Sequence, residues 1–448
     1  MNEATVTRAR ADDVRPFGEL FAEGTRNGLT RPKAVRGAGV KMVNMGELFA
    51  HPRLRNAPMA RVPLSEAEAD RFLLQPGDLL FARQSLVLEG AGKCSIFLSD
   101  DELVTFESHI TRVRLDPRKA DPRFYFYYLQ SHHGRAAITS IVEQGAGASG
   151  IRGSDLEKLG VLWRPLSEQC AIAEILGAFD DKIEQNRRTA RSLERLTQAI
   201  FRAWFVDFEP VKAKAAGATA IPSMPQSVFD ALPARFVDSD IGPVPEGWEV
   251  GKVGDGCGIN QRSVHAAEMS GAIEYVDISS VTVGRLTGLQ RVPFSEAPSR
   301  ARRRIAHGDT IWSCVRPNHR SHLFIHSPPE NRIVSTGFAV LSPRSFGPSF
   351  LYEITTQPEF VDYLVSNADG SAYPAVRSDH FASAEIVVPP QLLRDAFEEI
   401  TMPLRDSLAA GERESASLAA TRDYLLPKLL SGDLRVRSVL TEKGLSSD

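Results

Sequence analysis

The sequence predicts an α+β fold in which two related domains are separated by two long helices packed as an antiparallel coiled coil, with a pseudo-twofold internal repeat. Three observations predict it: a repeat with an offset of about 225 residues, two long stretches of helical periodicity in the same register, and alternating β-type and helical segments elsewhere. A chain of 448 residues is also too long for one compact core, so internal division is expected.

The first long helix is predicted from residues that recur at heptad spacing. Pro165 ends the strand pattern before it, and Asp207-Phe208-Glu209-Pro210 ends the helical pattern, so the predicted helix occupies residues 166–210. Its expected coiled-coil positions are Ile172, Phe179, Asn186, Leu193 and Ile200. A stretch of this length is typical of a coiled coil rather than of an ordinary globular helix.

The second long helix, predicted over residues 391–432, repeats this register at the same offset. Its coiled-coil positions are Phe397, Leu404, Gly411, Leu418 and Leu425. We expect an interruption or a new start at Pro403 and a C-terminal tail over residues 433–448. Asn186 and Gly411 fall at one level, and a polar core Asn fixes register at a cost in stability, which predicts an alignment point there. The alternative is that Asn186 only marks the exposed middle of a loosely packed rod.

The two domains are predicted over residues 1–165 and 245–390, which correspond loosely. Both contain a Gly-Asp pair before a β-type run, at Gly77-Asp78 and Gly308-Asp309, followed by a helical piece. Residues 211–244 are rich in Ala and Pro, which predicts a linker lying along the surface.

Composition and motifs exclude several classes of protein. Hydrophobic residues make up 42% and charged residues 24%, which argues against a disordered, fibrous or membrane protein. Residues 1–13 are too polar for a signal peptide, so we expect a cytoplasmic protein without a membrane partner. The four cysteines form no C-x-x-C pair, which excludes a disulfide framework and most zinc modules.

No catalytic or cofactor motif is complete. Gly145–Gly150 fits G-x-G-x-x-G but follows a helical segment, and Gly90–Cys94 lacks the first glycine and the hydroxyl of a P-loop. Cys314, His319 and His322 are spaced within reach of a metal but lack a fourth ligand, so a polar loop is the preferred interpretation. We therefore predict no catalytic residue, no metal and no cofactor in this chain.

A net charge of −3 discourages a polyanionic partner, but the charge is unevenly distributed. Residues 1–165 carry 23 Lys and Arg against 20 Asp and Glu, whereas residues 245–390 carry 13 against 15. Clustering is therefore the relevant test for nucleic-acid binding. The strongest cluster, in the second domain, comprises Arg302, Arg303, Arg304, Arg316, Asn318 and Arg320. Arg and Asn are the side chains that read guanine and adenine edges in the major groove.

The first domain has candidate DNA-binding residues at similar places. Arg36 and Lys41 form a loose basic group, and Arg83 and Gln84 stand where Arg316 stands in the second domain. Both domains also contain a small-residue loop with a basic end, at Gly147–Arg152 and Gly370–Arg377. These loops add Ser149, Arg152, Tyr373 and Arg377 to the candidate DNA-binding residues. The alternative is that the arginines are ordinary solvated surface.

Six stretches of the chain resemble the specificity (S) subunits of type I restriction-modification systems. They are Pro165–Gln169, Ala171–Leu176, Asp180–Arg187, Trp204–Pro210, Pro243–Trp248 and Arg422–Leu434. With the two-domain arrangement the resemblance covers nearly the whole chain, and its motifs are specific. Two departures are Gly411, where an Asn like Asn186 is common, and the absence of a clear Pro-Glu-Gly-Trp entry before the first domain.

The resemblance implies a fold and a function. The two α+β domains would be target recognition domains that select a bipartite, asymmetric sequence in double-stranded DNA. Methyltransferase (M) subunits, expected to be two, would methylate adenine with S-adenosylmethionine, and restriction (R) subunits would use ATP and Mg to cleave. This chain would be a non-catalytic subunit. A coiled-coil adaptor that binds only proteins is the alternative, and a self-contained nuclease is a further one.

Overall fold

The computed structural model describes residues 14–145, 147–264, 271–370 and 373–436, and it divides into two compact units. The first unit comprises Met1–Gln185 and Glu414–Asp448, and the second comprises Asn186–Arg413. Each long helix therefore contributes one segment to each unit. Antiparallel pairing explains this division, because it places the beginning of one helix beside the end of the other. Residues 1–13 of the predicted first domain and 437–448 of the predicted tail lie outside the described residues.

The first unit is built on a five-stranded sheet. In spatial order its strands are Arg26–Asn27, Ile110–Val113, Leu79–Ala82, Cys94–Ser99 and Arg53–Arg55. A three-stranded sheet has the order Ala60–Val62, Val40–Val43, Val104–Phe106, a second one the order Glu143–Gln144, Ser149–Gly150, Gln84–Ser85, and Val14–Pro16 pairs with Gly160–Leu162. The helices outside the coil are Met45–Ala50, Glu66–Phe72, Pro122–Gln130, His132–Ser140 and Gly153–Lys158. Every residue of Leu79–Ala82 is buried, as expected for a strand covered on both faces.

The second unit repeats this topology. One sheet has the order Cys257–Ile259, Phe338–Pro343, Thr310–Ser313, His322–Phe324, and another the order Gln290–Pro293, Ala272–Val276, Arg332–Ser335, Ala301–Arg304. Two-stranded pairs join Glu249–Lys252 to Glu385–Val388, Val281–Thr282 to Arg285–Leu286, and Phe236–Val237 to Val244–Pro245. The helices are Glu209–Ala215, Gln226–Asp230, Val253–Gly256, Pro348–Thr356, Pro358–Ser366 and Ser378–Ser383.

Matching strand directions confirm the predicted internal repeat. Val40–Val43 pairs parallel with Val104–Phe106 and antiparallel with Ala60–Val62. Ala272–Val276 likewise has one parallel and one antiparallel neighbour, at Arg332–Ser335 and Gln290–Pro293. The fold is therefore α+β, with two related domains.

The two long helices span Leu166–Phe201 and Gln391–Ser431, and their segments run antiparallel within each unit. In the first unit, Lys182 Nζ lies 3.4 Å from the Glu414 carboxylate. In the second, Asn186 Nδ2 donates to the Gly411 carbonyl at 3.3 Å, so these two residues share a level. Ile172 and Phe397 are buried, and the other eight predicted coiled-coil positions are half-buried. Partial burial is expected where two helices contact each other only along a narrow apolar stripe.

Three sequence predictions about this region are wrong. The first helix ends at Phe201 rather than at residue 210, and a π-helical turn, Arg202–Val206, follows it. The second helix is not interrupted at Pro403. Pro403 leaves the carbonyl of Glu399 without its helical donor, but both residues are exposed, so water can bind that carbonyl.

The third error concerns residues 211–244, which are not a surface linker. Met224, Val228 and Phe229 are buried in the main hydrophobic core of the second unit. The Ala- and Pro-rich composition concealed a short helix, Gln226–Asp230, that carries two of these side chains inward. Among the described residues, no helix has both the length and the apolar character needed to cross a membrane.

In both units a short helix of the domain docks on a long helix through buried polar contacts. In the first unit the Asp121 N–H donates to Gln169 Oε1 at 2.9 Å, and the Tyr127 hydroxyl donates to Asp180 Oδ2 at 2.7 Å. In the second, Glu398 accepts from the Ser349 and Phe350 amides, at the N-terminus of Pro348–Thr356. A carboxylate there satisfies amides that lack helical partners and interacts favourably with the helix dipole.

Candidate nucleic-acid interface

In the first unit, the segment after the buried strand Leu79–Ala82 pairs with a small-residue hairpin. Ser85 lies opposite Ser149, and Gln84 lies opposite Gly150. The Arg83 carbonyl accepts from the Ile151 amide at 3.0 Å. A Cβ at Gly150 would lie only 3.1 Å from the Arg83 carbonyl oxygen, so the absence of a side chain permits this close approach.

These segments line a cleft of about 300 Å³. Four of the predicted residues meet there: Arg83, Gln84, Ser149 and Arg152. Gln84 and Arg152 are exposed, whereas Ser149 is buried. Arg83 is half-buried, and its Nη1 donates to the Ser108 carbonyl at 3.3 Å. The cleft thus combines exposed donors with a backbone that a partner can approach closely.

Arg36 and Lys41 do not line this cleft. Arg36 Nη1 donates to Asn44 Oδ1 at 3.1 Å. Lys41 Nζ lies 2.8 Å from Asp100 and 3.3 Å from Glu102, and its hydrogen bond to Asp100 is the main reason why its pKa is raised. The Lys41 ammonium is therefore held by carboxylates within its own sheet region.

In the second unit, the segment after the buried strand Thr310–Ser313 has the same kind of hairpin partner. Val315 bridges to Ala375, which in turn bridges to Asp369. The Arg316 amide donates to the Pro374 carbonyl at 2.7 Å. The tip residues 371 and 372 of the predicted loop lie outside the described residues. The two units therefore present a corresponding loop and hairpin at equivalent places in the fold.

The basic loop of the second unit has an unusual backbone. Arg316 has φ of 50° and Arg320 has φ of 54°, and a 3-10 turn over Pro317–His319 connects them. Two left-handed non-glycine residues within five positions store strain of the kind that accumulates at functional sites. Asn318, inside the turn, is exposed.

Arg316 is stacked on an exposed aromatic ring. Its guanidinium carbon lies 4.7 Å from the ring centroid of Tyr373, whose exposed fraction is 70%. A cation over an aromatic face is attracted by the ring quadrupole, so the stack limits the conformations of the Arg316 side chain. Arg377, at the basic end of the hairpin, is exposed.

Two of the remaining predicted arginines, Arg320 and Arg302, have structural partners. Arg320 Nη2 donates to the Thr356 carbonyl at 2.9 Å, at the C-terminus of a helix, where a cation is favourable. Arg302 lies over the Phe294 ring at 5.6 Å. Arg303 is half-buried on the strand Ala301–Arg304, and its Nε has no hydrogen-bond partner among the described residues. Arg304, on the same strand, is half-buried.

Two features of the first unit's cleft escaped the sequence analysis. Glu143 Oε2 lies 2.7 Å from Arg152 Nη2, so an acidic side chain already pairs with one predicted cation. Leu86 and Val87 follow Gln84-Ser85 and have exposed fractions of 88% and 58%. Only the tertiary structure shows that these two apolar side chains are exposed beside the cleft.

The ion pair between Glu143 and Arg152 predicts how a change of charge in the cleft alters DNA binding. We expect Glu143→Gln to free Arg152 for a phosphate and to strengthen binding of duplex DNA by up to about 1 kcal/mol, the usual upper value for an exposed pair. The slope of log affinity against log salt should become steeper by about one unit. Fluorescence anisotropy at several salt concentrations measures both quantities. Glu157→Gln, outside the cleft, is the control, and an unchanged slope for Glu143→Gln would contradict the role of Arg152.

Within the described residues, no group of three or more His, Cys, Asp or Glu side chains is placed to hold a metal ion. His322, one of the spaced candidates, is buried against Trp312 with ring centroids 4.8 Å apart. Burial lowers its pKa to about 4. His322 is therefore a neutral core side chain at neutral pH.

The two related domains carry a loop and a hairpin at equivalent places in the fold, which defines the class of protein by its repeated architecture. A model of the type I restriction modification DNA specificity domain matches residues 46–195. The MjaIX specificity subunit of Methanocaldococcus jannaschii is 22% identical over 70% of each chain. The HindI specificity subunit of Haemophilus influenzae is 23% identical over 81% of this chain and 87% of its own. Over most of its length the chain is therefore similar to the specificity subunits of type I restriction-modification systems.

A solved structure supports the fold. The type I restriction-modification S subunit from M. genitalium aligns with a TM-score of 0.55, covering 93% of this chain and 95% of that one. At 17% sequence identity this similarity concerns the fold alone.

Proposed function

We propose that the chain reads a bipartite, asymmetric target in double-stranded DNA, with one domain for each half-site. One observation carries the proposal: both units place a basic loop and a small-residue hairpin together directly after an equivalent buried strand. The side chains at these places differ, with Arg83 and Gln84 in one unit and Arg316 and Asn318 in the other. Different donors read different base edges, so the half-sites should differ in sequence.

We further propose that the chain is non-catalytic and directs partner subunits to the target. In this proposal two M subunits methylate adenine with S-adenosylmethionine, and R subunits use ATP and Mg to cleave DNA. The similarity to specificity subunits supports these partners. The long helices would set the distance between half-sites, so the target would contain a non-specific spacer between them.

The decisive experiment compares the host's methylated sites with and without this gene. We expect one bipartite methyladenine motif with unequal halves to disappear when the gene is deleted and to return when it is restored. An unchanged methylome would contradict the proposal, provided that the M subunit is expressed. Binding of the purified chain to duplex DNA should also weaken steeply with salt, whereas a protein adaptor would show no such binding.

A substitution in the basic loop tests base reading. Arg316→Ala should weaken binding to the cognate duplex by about 1–3 kcal/mol and relax sequence preference at one position, if its guanidinium contacts a base. Tyr373→Phe keeps the ring beneath the guanidinium and should bind like wild type. Arg291→Ala, which removes an exposed arginine paired with Glu274, is the matched control. Equal binding by Arg316→Ala and wild type, measured by anisotropy, would exclude this contact.

A further inference from the structure

The second unit contains a pocket of about 120 Å³ that is separate from the basic loop and hairpin. Its walls come from segments of both long helices, from the strand His322–Phe324 and from the helix Pro348–Thr356. A cavity needs only about 10–15 Å³ to hold one water molecule, so the pocket is large enough for a small ligand. Glu412, on the rim, is exposed, so the pocket is accessible from solvent.

Three residues of the lining, Glu353, His322 and His326, each have a buried polar atom that lacks a hydrogen-bond partner among the described residues. The Glu353 side chain has an exposed fraction of 2%, and its Oε2 has no partner among the described residues. The same is true of Nδ1 of His322, which is 4% exposed. A buried acceptor without a donor is costly, and native structures satisfy nearly all such atoms with protein, water or ligand.

Arg405 does not supply the missing donor. Its Nη2 donates to the other Glu353 oxygen, Oε1, at 2.7 Å, and its Nε donates to Ser349 Oγ at 2.7 Å. The guanidinium is also held between two aromatic rings, with its carbon 4.5 Å from the centroid of Phe324 and 4.6 Å from that of Tyr352. Arg405 is therefore fixed in place beside the pocket.

The pocket carries an excess of negative charge. Glu194, Glu353 and Glu412 line it, together with the guanidinium of Arg405 and with His326, whose ring already pairs with the Asp406 carboxylate. Burial raises the pKa of Glu353 to about 7 although Arg405 opposes the shift, and the Glu194 carboxylate makes a smaller contribution in the same direction as burial. Within the described part of the chain neither Glu194 nor Glu412 forms an ion pair. A cation in the pocket would relieve this repulsion.

One side of the pocket is apolar, which restricts the kind of cation. Leu193, Leu404, Leu408 and Ala409 of the long helices form this side of the pocket. The carboxylates are not grouped as metal ligands in the described residues. A bare metal ion would gain nothing from the apolar side, whereas the methylene groups of an aliphatic amine would be removed from water there.

We propose that this pocket binds a small aliphatic amine, with an ammonium group donating to Glu353 Oε2 and to Nδ1 of His322. A second ammonium group, in a diamine, would face Glu194 and Glu412 at the rim. The methylene chain would lie against the leucines of the two long helices. Because the ligand contacts both helix segments and the domain, its binding should stabilise the docking of the domain on the coil within this unit.

Calorimetric titration of the full chain with putrescine, at constant ionic strength and without DNA, tests the proposal. We expect saturable binding at one site and a rise in the melting temperature. Glu412→Gln, at an exposed position, should weaken binding about tenfold or more without affecting folding. Glu399→Gln, which changes an exposed glutamate of the same helix, should bind like wild type. The uncharged isostere 1,4-butanediol should not bind.

Absence of saturable putrescine binding, or equal affinity in Glu412→Gln and wild type, would overturn the proposal. Equal binding of 1,4-butanediol would show that charge plays no part and would overturn it as well. The experiment contains no DNA and no partner subunit, so its failure leaves the proposed DNA recognition untouched.

Discussion

Replacing Arg405 with alanine should lower the free energy of unfolding of the second unit by about 3–5 kcal/mol. Arg405 is the cation paired with the Glu353 carboxylate, which is almost fully buried. Removing one partner of a buried ion pair leaves the other charge uncompensated, and that cost exceeds the value of the pair itself. Loss of the stacking on Phe324 and Tyr352 adds to the effect.

The loss of stability caused by Arg405→Ala should depend on pH in a defined direction. The folded-state pKa of Glu353, about 7, lies above its ordinary value of 4.5. The folded state therefore binds this proton more tightly, so the contribution of Glu353 to stability is full below pH 4.5 and is lost as pH rises through 7. Without Arg405 the pKa should rise further. The difference between Arg405→Ala and wild type should then be smaller at pH 5 than at pH 8.

Urea unfolding of the full chain at pH 5 and pH 8 measures these differences. Arg413→Ala, at an exposed position of the same helix, should change stability by no more than about 0.5 kcal/mol. The double variant Arg405→Met with Glu353→Leu should regain most of the lost stability, because it buries no charge. A loss below about 1 kcal/mol at pH 8 for Arg405→Ala would show that the carboxylate finds another partner.

Inserting seven residues into only one long helix, next to Asn186, should abolish recognition of the native target. The insertion keeps the heptad phase but moves every later residue by two turns, so residues on either side of the Asn186–Gly411 level can no longer pair together. This expectation rests on the proposed role of the coil as the spacer between half-sites. The measurement is methylome sequencing of a host that carries only the variant gene.

A matched insertion restores the pairing and gives the positive control. Seven residues added to each helix, beside Asn186 and beside Gly411, should lengthen the coil by about 10 Å. The spacer of the methylated motif should then grow by about three base pairs, while both half-sites stay the same. Methylation of the native target by the single-insertion variant, or an unchanged spacer for the paired insertion, would contradict the role of the coil in spacing.

The register of the coil was predictable, but the docking contacts of the domains were not. Asp180 and Arg405 occupy equivalent helix positions under the internal repeat. In the first unit Asp180 accepts from the Tyr127 hydroxyl and pairs with Arg422. In the second, Arg405 pairs with Glu353. Heptad periodicity predicts which residues lie between the two helices. It does not predict which charged residues contact the domain that packs on each helix.

The candidate interface was predicted in part. Small residues before a basic one indicated both hairpins, and the offset of the repeat paired Arg83 with Arg316. Sequence could not show that Glu143 neutralises Arg152 or that Tyr373 lies under Arg316. In each pair the partners are brought together by the turn of a hairpin or by pairing between distant strands, and composition carries no signal of such contacts.

Local chemistry was enough to reveal two domains of one kind, two long helices in matched register and the family that the chain resembles. These features repeat along the chain, so they can be recognised in the sequence without knowing which distant residues are in contact. The tertiary structure decided where each helix ends, that residues 211–244 contribute to a core, and which charges are paired. It also formed the acidic pocket beside Arg405, because burial and pairing depend on residues that meet only after folding.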